Sequence, residues 1–306
     1  MSNPNQRDPA KILLKATWDA IRPPYLDYRY FDGFESYPFR HHTMAFDMVN
    51  AWWLIEASTL AFAEEDFVRP IFQKAGLNEV EFFTGNSTQS FLANNNDFAI
   101  IVFRGTEIRR RTGVNDFSNI VVDLETDADI MLTDTGQGGN VHKGFKDALD
   151  EVWEKKGLLK YISSKDTSSR TIWFTGHSLG AALATLAANR YEKVQGLYTF
   201  GSPRVGDAAF KKNFHVRTYR FVNNNDIVAR VPPPVPYEHV GDLKYIDSDG
   251  IVNDNPSPWE RITNSMRGEI SSIVNSMGQT NRGLIPDYIV DHVPTLYATH
   301  IWNNIP

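Results

Sequence analysis

Cysteine is absent from the 306 residues, which excludes a disulfide framework, a thiolate metal site and a thiol nucleophile. Long apolar runs are missing too. The first thirty residues hold only Ile12–Leu14 as a continuous apolar stretch, short of the roughly 7–15 residues a secretory signal needs. The most apolar segment, 51–63, is interrupted by Glu56 and falls below the roughly 20 residues that span a bilayer. The expectation is a soluble protein, cytoplasmic or exported by another route. A basic excess is lacking as well. Lys and Arg number 31 against 37 Asp and Glu, a net charge of −6, so the electrostatic footprint of a dedicated nucleic-acid binder is missing. Metal ligands do not cluster: His41-His42 has no helical partner, and "DSDGIVNDN" (247–255) departs from calcium-loop spacing and reads as a polar turn. Neither cofactor nor metal is expected.

What is present is an alternation of strand and helix signals. Residues 1–43, rich in Pro, Arg, Tyr and Asp, read as a wrapping arm. From Thr43, Phe46, Val49, Trp53 and Leu60 recur near helical spacing, predicting an amphipathic helix. "EVEFFTG" and "TQSFLAN" are strand candidates, and "DFAIIVFRGT" (97–106) is a continuous apolar run suited to a strand buried on both faces. Helix is expected over 142–162, strand over 170–176, helix over 179–194, and further strands at "LYTFGSP" and 216–226. This order implies an α/β fold with a mostly parallel sheet. No linker interrupts it, so one domain spanning 1–306 is expected.

Between the 170–176 strand and the 179–194 helix lies Gly176-His177-Ser178-Leu179-Gly180. A G-x-S-x-G pentapeptide is weak evidence alone, but strand before and helix after is the setting in which it bends sharply and exposes its serine. Side chains at the two flanking glycines would collide with the adjoining elements, and the helix N-terminus favours negative charge developing at the site. The plain alternative is a structural turn.

A serine nucleophile needs a base, and the base an orienting acid; after such an elbow the chain order is acid, then histidine. Asp226 ends a strand candidate at the edge where these sheets place their sites. Asp207, Asp242, Asp247, Asp249 and Asp254 are the other downstream acids. His215 precedes Asp226 and breaks the order, which favours His292 while leaving His239 and His300 open.

Taken in order, "IVFRGT", "VHKGF", "FTGHSLGAALATLAA", "TFGSPRVGD", "NNNDIVARVPP" and "DHVPTLY" make residues 45–300 resemble the class 3 (fungal-type) lipases of the α/β-hydrolase superfamily. The resemblance implies Ser178 as nucleophile, Asp226 as acid and His292 as base. It implies an oxyanion hole from the backbone N–H groups of Thr106 and Leu179. The substrate would be an acylglycerol ester, cleaved through an acyl-enzyme. Short-chain, phospholipid or feruloyl esters, a non-catalytic lipid-binding role and acyl transfer remain as rivals. His142 reads as a packed structural histidine; His239 falls near the site. The lid region, about 107–122, keeps Asp123-Leu124 beyond it but lacks a tryptophan; Arg109–Arg111 read as a solvated turn, with transient contact to a lipid interface as the alternative. Between acid and base, 259–277 carries one apolar helical stripe.

Overall fold

A computed structural model of the chain describes residues 6–8, 25, 28–105, 131–165, 170–257 and 290–306. Thr106, the lid region, the 259–277 helix and much of the 1–43 arm lie outside the described residues. Strands β1 (Glu79–Thr84), β2 (Gln89–Asn94) and β3 (Phe98–Phe103) pair antiparallel in turn. Strands β4 (Leu132–Asp134) and β5 (Asn140–His142) form a separate antiparallel ribbon. From β3, strands β6 (Thr171–His177), β7 (Val194–Phe200), β8 (Thr218–Asn223) and β9 (Asp242–Ile246) add in parallel. Strand β10 (Val252–Asp254) then closes the eight-stranded sheet in antiparallel fashion.

Seven helices belong to the described residues: α1 (Met48–Leu60), α2 (Glu65–Lys74), α3 (Lys143–Asp150), α4 (Leu158–Lys165), α5 (Leu179–Arg190), α6 (Ala208–Asn213) and α7 (Pro294–Asn303). The apolar run predicted as a doubly buried strand is β3, all six residues of which are buried. Its pleat sends Ala99, Ile101 and Phe103 into the layer beneath α3 and α5. Phe98, Ile100 and Val102 point into the opposite layer, beneath α1 and α7.

Three element expectations need correction. The first helix is not amphipathic. It starts at Met48, where the Asp47 side chain caps the Asn50 N–H, and every residue from Val49 to Leu60 is buried. Sheet covers one side; Phe31, with its ring 4.9 Å from Trp53, and Trp302, 4.8 Å from Trp52, cover the other. The 142–162 helix is two helices, joined through a π turn at Glu151–Lys155. The 179–194 helix stops at Arg190, because Val194 already pairs with Ile172 as the first residue of β7.

Candidate active site

Ser178 sits between β6 and α5 with φ 60° and ψ −134°. A left-handed φ on a non-glycine residue costs on the order of 1–3 kcal/mol and persists only where the surroundings impose it. Here they do. The Ser178 N–H donates to the Phe200 carbonyl at 3.0 Å and its own carbonyl accepts from Ala181 N at 2.9 Å. A Cβ on Gly176 would strike the backbone of Gly180, and one on Gly180 the backbone of Phe103. Both glycines therefore admit close approach of helix to strand. Leu179 is the first residue of α5.

Asp226 lies in the loop after β8 and is fully buried. His292 lies two residues before α7 and is equally enclosed. His292 Nδ1 stands 2.8 and 2.9 Å from the two carboxylate oxygens of Asp226. A carboxylate only accepts, so Nδ1 carries the proton donated to Asp226. The Tyr297 hydroxyl, one turn into α7, donates to Asp226 Oδ2 at 2.6 Å and accepts from Asn223 N at 2.9 Å. Val228 N donates to Asp226 Oδ1 at 2.9 Å. Burial works to raise the Asp226 carboxyl, but His292 and Tyr297 more than offset it, and the net shift is below the usual carboxylate range. Tyr297 is driven well above a normal phenol, by burial first and the Asp226 charge second.

Two devices bring Asp226 and His292 together across 66 residues of chain. The Asp291 carboxylate accepts from Asn225 N at 3.0 Å and Asn224 Nδ2 at 3.2 Å, and the Asp291 carbonyl accepts from Asn223 Nδ2 at 3.0 Å. The turn holding Asp226 is thereby fixed to the residue preceding His292. Gly201, with φ 56°, provides the space: a Cβ there would stand 2.6 Å from Asp226 Oδ2 and 2.8 Å from His292 Nδ1.

His177 links this pair to the elbow. Its Nε2–H donates to the His292 carbonyl at 2.8 Å, and the two rings lie 4.4 Å apart. Burial, then the neighbouring His292, hold His177 well below the usual histidine range, so it stays neutral. None of Tyr297, Asp291, Gly201 and His177 was singled out from the sequence as a site residue. The nearest signals were the adjacency of Asp291 to His292 and of His177 to Ser178; nothing in the local pattern marked Tyr297.

The remaining candidates are occupied elsewhere. His239 Nε2 donates to the Ala229 carbonyl at 2.9 Å, and burial pushes it well below its ordinary value. His300 packs in α7, its pKa pushed down to about 4 by burial. His142 stacks on Phe145, rings 4.1 Å apart, and His215 is exposed. Asp207 caps α6 through Phe210 N and holds Asn140. Asp254 pairs with Lys244, and Asp247 accepts from the Ile251 and Asp249 N–H groups within its own turn. No group of three or more metal-ligating side chains occurs among the described residues. No helix among them is long and apolar enough to cross a membrane.

Known proteins resemble the chain over part of its length. Residues 100–235 match the family model described as Lipase (class 3). The secreted mono- and diacylglycerol lipase 1 of Fusarium solani is 38% identical over 127 residues, covering 38% of this chain and 37% of that protein. Phospholipase A1-II 6 of Oryza sativa subsp. japonica is 30% identical over 186 residues, covering 49% of this chain and 44% of that protein. The chain thus spans less than half the length of these curated relatives. A solved fungal lipase–inhibitor complex aligns at 22% identity with a TM-score of 0.52, covering 69% of this chain and 84% of that one, a likeness of fold. Over residues 100–235 the chain is similar to class 3 lipases, and its mostly parallel sheet flanked by helices shares the fold of the solved fungal lipase.

Proposed function

We propose that the chain is a serine carboxylester hydrolase acting on acylglycerols, with Ser178 as nucleophile, His292 as base and Asp226 as acid, all within one domain. The observation that carries this reading is the His292 Nδ1–Asp226 bond of 2.8 Å, on a histidine that His177 links to the strained serine elbow. In the first half-reaction His292 Nε2 accepts the Ser178 proton as Oγ bonds to the ester carbonyl carbon. The tetrahedral oxyanion collapses, and the imidazolium returns its proton to the departing alcohol. Water then replaces the alcohol and the same proton transfers release the acid. The oxyanion is assigned to the N–H groups of Thr106 and Leu179, where losing one donor costs about 3–4 kcal/mol. Asp226, ionised and held by Tyr297, keeps His292 in its working tautomer.

The Fusarium solani relative's name favours mono- and diacylglycerols, and the rice relative's name favours phospholipids as a second reading. Both substrates use the same three side chains and differ in pocket shape and interface contact. A panel of p-nitrophenyl esters of rising chain length separates them when run beside emulsified diacylglycerol and phosphatidylcholine vesicles. Acylglycerol turnover exceeding phospholipid turnover supports the proposal; phospholipid hydrolysis with little acylglycerol turnover overturns its substrate. Activity that survives in Ser178→Ala overturns the mechanism.

A further inference from the structure

A second fully buried carboxylate lies away from the candidate active site. Glu56, on α1, has an exposure of 0%. Its Oε1 accepts from Trp52 Nε1 at 2.8 Å, Tyr28 OH at 2.7 Å and Arg7 Nη1 at 3.1 Å, and its Oε2 from Phe31 N at 3.3 Å. Burial raises its pKa, and Arg7 is the first of the groups pulling the other way. The Arg7 guanidinium also donates to the Tyr28 hydroxyl at 2.6 Å and the Asp32 carbonyl at 2.8 Å. It lies 4.3 Å from the centre of the Trp302 ring, with Tyr28 at 5.6 Å and Trp52 at 5.9 Å. The main chain of residue 7 is read separately: Asn303 Oδ1 accepts its N–H and Asn303 Nδ2 donates to its carbonyl, both at 2.8 Å.

This is more than an ion pair. The planar cation is recognised by Glu56 and Tyr28 at Nη1, by the Asp32 carbonyl at Nη2 and by aromatic faces, while a carboxamide recognises a peptide unit whatever its side chain. Trp52, Glu56, Trp302 and Asn303 come from α1 and α7, two helices of the core, so most of the walls stand without the ligand. The geometry points to an arginyl-peptide recognition site, built from α1 and α7, whose occupant is the Arg7 unit of the chain's own N-terminal arm and which accepts the same unit supplied in trans.

Thermal melting of the full chain tests this, with N-acetyl-L-arginine methylamide as the probe. Arg7→Ala is expected to lower the Tm by about 5–10 °C, since it strands a buried charge. The probe at tens of millimolar should raise the Tm of the variant by about 3 °C, saturably. The wild-type protein, its site filled, should not respond. N-acetyl-L-lysine methylamide at equal ionic strength should not substitute. Adding Glu56→Gln to Arg7→Ala should abolish the rescue. If Arg7→Ala does not fold, Arg7→Lys, which keeps the charge but loses the fork, takes the same probe. A Tm unchanged by removal of Arg7, a loss that the arginine probe does not restore, or equal rescue of wild type or by the lysine derivative would each overturn the proposal. None of these readouts depends on ester hydrolysis.

Discussion

Asp226 and Glu56 are both fully buried carboxylates, each holding a tyrosine hydroxyl and a nitrogen donor, yet the two environments act in opposite directions. Asp226 is held below the usual carboxylate range and Glu56 above it. Burial outweighs the donors at Glu56, whereas His292 and Tyr297 outweigh it at Asp226. The partners differ in kind: His292 is an imidazole with two ring nitrogens, whereas Arg7 stays charged and uses its donors on Tyr28, Glu56 and Asp32. The surroundings differ as well. Asp226 occupies a loop braced by Asp291 and opened by Gly201, whereas Glu56 lies mid-helix among Trp52, Tyr28 and Trp302. In the proposed function one carboxylate orients a base; the other holds a segment of chain in place.

The largest expected effect separates the two directly. Asp226→Asn should lower kcat/KM by about 10⁴-fold, the loss seen when a triad acid becomes an amide and the histidine takes the wrong tautomer, with the protein still folded by circular dichroism. Glu56→Gln should do the converse. Chemical denaturation should show a loss of about 2–4 kcal/mol, because Arg7 loses its buried counter-charge, while kcat per folded molecule is unchanged. An equal kinetic effect from both would erase the distinction.

Tyr297→Phe sharpens it further. Removing one charge-assisted bond should cost about 1.5–3 kcal/mol at Asp226, read as roughly tenfold or more in kcat. Because Tyr297 lowers the Asp226 pKa, its loss should move the acid-side decline of activity to higher pH, a shift that a merely structural tyrosine would not produce.

The smallest effect is on stability. The folded pKa values of His177, His239 and His300 all lie below the ordinary histidine value, so the unfolded chain binds protons that the folded chain does not. Their contribution is complete above pH about 6.5 and declines as the pH falls toward the folded values, about 4 for His300. The depressed pKa of Asp226 extends the decline to more acid pH. Between pH 7 and 5, His300 alone should account for about 1–2 kcal/mol of the loss. Denaturation midpoints of His300→Gln should accordingly vary less steeply with pH than those of the wild-type protein.

Local pattern revealed what neighbours along the chain determine. The apolar run of β3, the glycine-flanked serine between strand and helix, and Asp226 at a strand end were all legible. Order alone could not choose among His239, His292 and His300; the Nδ1–carboxylate contact that puts His292 beside Asp226 spans 66 residues. Tyr297 was invisible because its partner lies 71 residues away, and helical spacing shows which residues share a face but not what that face meets. Residues of α1 at apparently polar positions, Asn50, Glu56, Ser58 and Thr59, are buried because hydrogen bonds satisfy them: Asn50 with Arg40, Glu56 with Tyr28 and Trp52, Ser58 and Thr59 with their own helix. Periodicity counts such residues as surface, and so it predicted an amphipathic helix.

A fluorophosphonate probe with mass spectrometry of the labelled peptides reads out whether Ser178 is the nucleophile activated by the Asp226–His292 pair. One adduct is expected, on Ser178, absent from Ser178→Ala and formed far more slowly in Asp226→Asn. Label on another residue, or labelling at the wild-type rate in Asp226→Asn, would contradict that assignment.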